Sequence, residues 1–319
     1  MTVTTRGRPT PAIMVVGSIN MDLVARCPHI PAPGETILGT DFTLTPGGKG
    51  ANGATAAARL AAVQAPTRVV MVGAVGRDDH GAALRRNLAD RGVDIGGVGE
   101  LDGVPTGVAL IAVSDAGENS IVVIPGANGR LLPQHVDVAL GQMRPELVLM
   151  QLEIPLETVA YTAEQARSAG ARVLLDPAPA TALPERLLRH VDLLLPNEGE
   201  LALLSGQPVS GSTEETVRAA QRLRDRGVAT VVVKRGELGA LIVDGHDPRE
   251  VPTLRVDVVD TTGAGDCFDG ALAVALAEGQ PLDAAVRFAT HAAALSCTQL
   301  GAQTAQPTRA EVERALARP

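Results

Sequence analysis

Near the C-terminal end the chain reads Asp260-Thr261-Thr262-Gly263-Ala264-Gly265-Asp266. The alternation of Leu254, Val256 and Val258 with Arg255 and Asp257 predicts a strand before it, and Ala271 to Ala277 predicts a buried helix after it. Gly263-Ala264-Gly265 then falls where strand turns into helix. Backbone N–H groups there point the same way at the positive end of the helix dipole, a place for an anion such as phosphate. Asp266 falls in the first helical turn. A carboxylate beside phosphate is poorly suited to binding it, because like charges repel. It is well suited to taking a proton from a hydroxyl that attacks the phosphate. The same spacing also serves a plain helix start, with the glycines making a tight turn and the aspartate complementing the dipole.

Other polar residues fall where apolar runs end. Ala12 to Gly17 predicts a buried first strand, with Asn20 and Asp22 following it. Two residues apart on an extended chain, they share a side and could cradle sugar hydroxyls or form Asx turns. Pro46-Gly47-Gly48-Lys49-Gly50-Ala51-Asn52 opens an Ala-rich helix on which Lys49 and Asn52 share a face. It lacks the glycine spacing of a Walker A loop. Glu153 follows the apolar run Leu147 to Leu152, Asn197 follows Val191 to Leu195, and Lys234 follows Val228 to Val233.

The elements that must position these residues alternate between strand and helix. Strands are expected at Val69 to Val75, Leu147 to Leu152, Arg172 to Leu175, Val191 to Leu195 and Val228 to Val233. Helices are expected at Asp79 to Arg91, Leu156 to Ala169, Glu198 to Ser205, Thr213 to Arg226, Asp283 to Cys297 and Thr308 to Ala317. Leu241 begins an antiparallel portion reaching Val251. This order predicts an α/β fold: a three-layer αβα sandwich with a mainly parallel central sheet. In such a sheet, ligands bind outside the carboxyl ends of the strands. Two stretches break the alternation. From Leu23 to Thr45, short pieces are interrupted by Pro28, Pro31, Pro33, Gly34 and Gly39. From Thr106 to Ile124, a hairpin pattern turns at Asp115-Ala116-Gly117. Together they predict a small β lid over the sheet edge, able to exclude water. One domain over residues 12–317 follows, with residues 1–11 as a disordered tail.

Composition narrows the function classes. Of 319 residues, 45% are hydrophobic, which allows a sizeable core, and the net charge is −8. That balance, with no Trp, one Tyr and three Phe, argues against nucleic acid as a partner. No apolar run is long enough for a membrane span, and no secretory signal is evident. Cys27, Cys267 and Cys297 lack metal-ligand or Cys-x-x-Cys spacing, so reduced thiols and a cytoplasmic location are expected.

Gly47-Gly48-Lys49-Gly50-Ala51-Asn52 and Asp260-Thr261-Thr262-Gly263-Ala264-Gly265-Asp266 resemble the two signature motifs of the PfkB carbohydrate kinases, in order and separation. Gly17-Ser18-Ile19-Asn20-Met21-Asp22, Pro33-Gly34-Glu35-Thr36, Met150-Gln151-Leu152-Glu153, Asp176-Pro177-Ala178-Pro179 and Pro196-Asn197-Glu198-Gly199-Glu200 extend the likeness, most closely to the members that act on ribose. The resemblance implies phosphorylation of D-ribose at its 5-hydroxyl by ATP. Asp266 is the implied base, and Gly263, Ala264 and Gly265 the implied anion hole. The implied sugar contacts are Asn20, Met21, Asp22, Gly48, Lys49, Gly50, Asn52, Glu153 and Asp266. Implied ATP contacts are Asn197, the turn Lys234-Arg235-Gly236-Glu237-Leu238-Gly239, Gly265, Asp266 and Thr290. Asn197 and Glu200 would place Mg²⁺ through waters. Asp260, Thr262, Ser296, Gln299, Gly301 and Ala305 would hold K⁺, mostly through carbonyls. Ala305 departs from the frequent Ser, and Thr290 from the frequent His or Asn. The lids imply a homodimer. A sibling kinase of 2-deoxyribose, fructose or another small sugar, or a non-catalytic sugar-binding protein, are the alternatives.

Overall fold

The structure, a computed structural model, describes residues 12–62 and 67–317. The expected tail over residues 1–11 lies outside the described residues. The strands are β1 (Ala12–Val16), β2 (Asn20–Cys27), β3 (Asp41–Gly47), β4 (Arg68–Gly76), β5 (Asp94–Leu101), β6 (Gly107–Ser114), β7 (Asn119–Ile124), β8 (Leu147–Met150), β9 (Arg172–Leu175), β10 (Leu193–Leu194), β11 (Thr230–Lys234), β12 (Ala240–Val243) and β13 (Arg249–Val251). The helices are α1 (Lys49–Leu60), α2 (Asp79–Asp90), α3 (Pro133–Gln142), α4 (Leu156–Ser168), α5 (Glu185–Leu188), α6 (Glu198–Ser205), α7 (Thr213–Asp225), α8 (Ala264–Ala277), α9 (Leu282–Ser296) and α10 (Arg309–Leu316).

Nine strands form the central sheet in the order β13-β12-β11-β10-β9-β8-β1-β4-β5. All neighbours are parallel except β11–β12 and β12–β13. Strand periodicity sorts the apolar side chains into two cores. Ile13, Val15, Met71 and Leu149 enter one, with the helices α1, α8 and α9, while Met14, Val16, Val70 and Met150 enter the other, with α4 and α7. Both faces are therefore covered, as a parallel sheet requires.

The helices α1 and α8 meet along a seam of small residues. A Cβ on Gly270 would lie 2.5 Å from the Gly53 carbonyl oxygen and 2.8 Å from Ala56 Cβ. Glycine is required there by the closeness of the two backbones.

A second sheet, in the order β3-β2-β6-β7, is the lid. The β2–β6 pair is parallel, and β3 and β7 flank it antiparallel. Asn20 and Asp22 therefore sit on lid strand β2, which leaves the central sheet just after β1. β2 is extended, so the two side chains share a face as expected.

Four elements differ from expectation, one being the short α5, an unexpected single turn after Pro184. Residues 254–258 are not a strand: their apolar side chains line a cavity and no neighbouring strand pairs with them. β5 was not anticipated, because Gly96, Gly97 and Gly99 dilute its alternation. Nor was α3, which carries Pro133 at its first position.

Candidate active site

The N-terminus of α8 is built as an anion site. Gly263 adopts φ 74°, the left-handed conformation that lets the chain turn into the helix. A Cβ there would meet Ala302 at 2.8 Å. Among the described residues, the N–H groups of Gly263, Gly265 and Asp266 donate to nothing within the chain, whereas the Ala264 N–H donates to the Thr261 carbonyl at 3.2 Å. Three donors stay open, with Asp266 itself supplying one in addition to Gly263 and Gly265.

The carboxylate of Asp266 is buried beside them. Asn52 Nδ2 donates to its Oδ2 at 2.8 Å, and Lys49 Nζ lies 3.8 Å from its Oδ1. Burial raises its pKa, while Lys49 and the Asn52 hydrogen bond act to lower it. In return, Asp266 holds the Lys49 ammonium above its ordinary pKa.

On the lid side of Asp266 lies a polar cradle. Asn20 Oδ1 accepts from Asn128 Nδ2 at 2.7 Å, and Asn128 also bonds both backbone groups of Ile19. Two glycines make room for these side chains. A Cβ on Gly107 would fall 2.4 Å from Asn20 Oδ1, and one on Gly47 would fall 2.1 Å from Asp22 Oδ2. Burial, then the charges of Glu153 and Asp266, lift the Asp22 pKa to about 7. Glu153 accepts from Ser18 Oγ at 2.5 Å and from the Lys49 N–H at 3.3 Å. Met21 is buried in the adjoining core, and Gly48 and Gly50 pack against the Gly17–Asn20 backbone. Apart from Met21, the expected sugar residues thus gather around one point. Asn128, Gly107 and Ser18 join them; Asn128 stands in a Gly-rich turn just after β7, the one sequence signal that it had.

On the other side of the anion site lies a cavity of about 770 Å³. Its wall includes Lys234, Gly236, Glu237, Leu238, Gly239, Gly265 and Thr290, together with Leu254, Val256 and Val258. Thr290 spends its hydroxyl on the Arg287 carbonyl at 2.9 Å. Arg235 does not line the cavity. Its buried guanidinium bonds Glu198, Glu250, Thr213 and the Gly211 carbonyl. Lys234 Nζ lies 3.0 Å from Asp176 and 3.4 Å from Asp269. Although burial opposes its charge, these two carboxylates hold its pKa above the ordinary value.

Asn197 and Glu200 form a reciprocal cap at the start of α6, each side chain accepting the other's N–H at 2.8 Å. Burial and then Asp176 raise the Glu200 pKa, so an added cation would be welcome beside it. Of the residues expected for K⁺, Asp260 accepts from the Thr262 N–H at 2.9 Å and from the Gly301 N–H at 2.8 Å, and the Ala305 N–H donates to the Gly301 carbonyl. Burial would raise the Asp260 pKa, but the hydrogen bonds from the Thr262 hydroxyl, the Gly301 N–H and the Thr262 N–H outweigh it and hold it below the ordinary value, which suits a cation. Ser296 Oγ donates to the Ala293 carbonyl at 2.8 Å. Gln299 is exposed.

A buried carboxylate beside open N–H donors, set between a polar cradle and a cavity, is the arrangement that phosphoryl transfer to an alcohol needs. The family model described as pfkB family carbohydrate kinase matches residues 10–309. The chain belongs to the pfkB family of carbohydrate kinases. Ribokinase from Bacillus subtilis (strain 168) is 42% identical over 305 residues, covering 95% of this chain and 99% of that protein. Deoxyribokinase from Salmonella typhi is 38% identical over 299 residues, covering 93% and 95%. The structure of Arabidopsis thaliana ribokinase complexed with ribose and ATP matches with a TM-score of 0.87 at 34% identity, covering 97% of this chain and 99% of that one.

Proposed function

We propose that this protein transfers the γ-phosphoryl group of ATP to the 5-hydroxyl of D-ribose, giving D-ribose 5-phosphate and ADP. The observation that carries this is Asp266: a buried carboxylate, bonded by Asn52 at 2.8 Å, between the polar cradle and the open N–H groups of α8. Asp266 takes the hydroxyl proton as the sugar oxygen forms its bond to the γ-phosphorus and the bond to ADP breaks. The N–H groups of Gly263, Gly265 and Asp266 receive the charge on the transferring group. Asn20, Asp22, Asn52 and Glu153 match a polyol, because carboxylates and amides leave few sugar hydroxyls unpaired. The cavity walled by Gly236 to Gly239 and Thr290 takes the nucleotide.

Mg²⁺ would neutralise phosphate charge, and Glu200 and Asn197 would help hold it through waters. K⁺ would be held beside Asp260 by carbonyls of the segment from Ser296 to Ala305. On one face the lid leaves Phe42, Leu44, Leu110, Val122 and Ile124 exposed. A second copy of the lid would cover that apolar surface, which supports a homodimer. Among the described residues no helix is long and apolar enough to cross a membrane. Together with three free cysteines, this supports the cytoplasm as the compartment. Residues 12–317 read as one kinase domain with the lid segments inserted.

A second reading, 2-deoxyribose as the acceptor, is favoured by the 38% identity to a deoxyribokinase. A coupled ADP-release assay with ATP and Mg²⁺ across ribose, 2-deoxyribose, fructose and adenosine, with and without K⁺, tests both. Strongest turnover on ribose supports the first reading, and strongest turnover on another sugar moves the specificity. Ribose binding without turnover on any of them overturns the kinase activity.

A further inference from the structure

A chain of side-chain amides runs from a guanidinium to the carboxylate of Asp266. Arg91 Nε donates to Asn87 Oδ1 at 3.1 Å, and Asn87 Nδ2 donates to Gln303 Oε1 at 2.8 Å. Gln303 Nε2 donates to Asn52 Oδ1 at 3.0 Å, and Asn52 Nδ2 donates to Asp266 Oδ2 at 2.8 Å. The direction is forced from both ends. A guanidinium can only donate, an ionised carboxylate can only accept, and each amide between them donates with its nitrogen and accepts with its oxygen. Both Gln303 and Asn52 are buried, at 2% and 6% exposure, so water does not compete for these bonds. Two further bonds anchor the chain. Arg91 Nη1 donates to the Gln303 carbonyl at 3.2 Å, and Gln306 Nε2 donates to the Asn52 carbonyl at 2.9 Å. The residues come from α2 and its C-terminal cap, the loop before α10, α1 and α8.

We propose that Gln303 is a positioning residue for Asp266: by donating to Asn52 Oδ1, it obliges the Asn52 amide to present its N–H₂, and not its oxygen, to the carboxylate. The inference rests on Asp266 being the base. An Asn52 oxygen turned to Asp266 would repel the ionised form and favour the protonated one, which cannot take a proton. With Gln303 in place, Asp266 is faced by a donor before any substrate arrives. The remaining charges around it are Lys49 on α1, Asp22 on β2, Glu153 after β8, Asp176 after β9, Lys234 at the end of β11 and Asp269 on α8 itself. Gln303 variants leave all of these in place.

Two variants separate the amide effect from other causes. Gln303→Met keeps the length and removes the donor without adding charge. Gln303→Glu keeps the acceptor for Asn87 and offers Asn52 only acceptors, inviting its amide to turn over. The Asp266 carboxyl carbon is followed by ¹³C NMR against pH, assigned by its absence from Asp266→Asn, alongside kcat and KM for ribose and thermal melts. Both variants are expected to raise the Asp266 titration midpoint, Gln303→Glu by about one pH unit or more. Gln303→Glu should lower kcat about 10- to 100-fold while leaving the ribose KM within about threefold. A shift in Gln303→Glu with none in folded Gln303→Met would trace the effect to added charge and overturn the proposal. If Gln303→Met does not fold, Asn87→Leu, which unties only the far end of the chain, decides in its place by moving the midpoint in the same direction or leaving it still. A wild-type enzyme without sugar-dependent turnover would refute the kinase reading, and the NMR titration would still decide the role of Gln303.

Discussion

Lys49 Nζ lies 3.8 Å from Asp266 Oδ1, with the Lys49 side chain 31% exposed and that of Asp266 only 7%. Burial still raises the Asp266 pKa overall, and the Lys49 ammonium beside it opposes that rise, as a base that must be ionised would require. The chemistry should be lost when that charge is removed. Asp266→Asn is expected to cut turnover by about a hundredfold or more, since a positioned base is typically worth about 10²–10⁴. Ribose binding by calorimetry should stay nearly intact. Near-normal turnover would remove Asp266 from the role of base.

Asp22 should make sugar binding sensitive to pH. Its pKa stands at about 7 in the folded protein against 3.8 as the ordinary value. The folded form therefore holds the proton more tightly than the unfolded chain. The stability that this group contributes is complete at acid pH and is lost as pH rises through about 7. Asp22→Asn should accordingly gain thermal stability relative to wild type as pH goes from 5 to about 8. Ribose affinity of the wild type should rise over the same window, because a sugar hydroxyl donates better to the ionised carboxylate, and Asp22→Ala should weaken ribose far more than ATP. Melting curves and calorimetry at several pH values check this. A pH-independent difference in melting temperature would contradict it.

Lys234 balances Asp176 and Asp269 in the interior, at 3.0 and 3.4 Å. Lys234→Met leaves those carboxylates uncompensated. Breaking one side of a buried ion pair typically costs about 3–5 kcal/mol, which urea unfolding should register as a lower midpoint at similar slope. A midpoint like that of wild type would show that the carboxylates do not depend on the lysine.

The cation site is tested by substitution of the ion. Replacing K⁺ with a bulky organic cation should lower turnover, because a site built from carbonyls beside Asp260 would be too small for it. Ala305→Ser should strengthen the response if an added hydroxyl reaches the ion. Turnover indifferent to the cation in both proteins would mean that Asp260 serves the loop alone.

The chemistry was legible in the sequence where it is local. Gly263-Ala264-Gly265-Asp266 and Gly47-Gly48-Lys49 carry turn, donors and charge within a few residues, and the strand–helix alternation placed them at one sheet edge. What escaped depends on contacts between distant segments. Gln303 reaches Asn52 and Asn87 from a turn-rich loop in which nothing repeats, and Asn128 reaches Asn20 across the lid junction. Gly107 is set by the side chain it must not touch, which no local pattern records. The strand expected at 254–258 shows the opposite error. Alternation of Leu254, Val256 and Val258 reveals an apolar side, but not whether that side meets another strand or a cavity.

The seam between Gly53 and Gly270 joins the helix carrying Lys49 and Asn52 to the helix carrying Asp266 with no space for even one added carbon. Asp266 is therefore held in one block with Lys49 and Asn52, the proposed base with the proposed helix-borne sugar contacts. Evolution cannot retune one against the other without parting two backbones in the core. The freedom to accept a different sugar lies instead with β2, whose Asn20 and Asp22 ride on the lid. Divergence in acceptor preference within this scaffold should be written on that strand, while the catalytic half stays fixed.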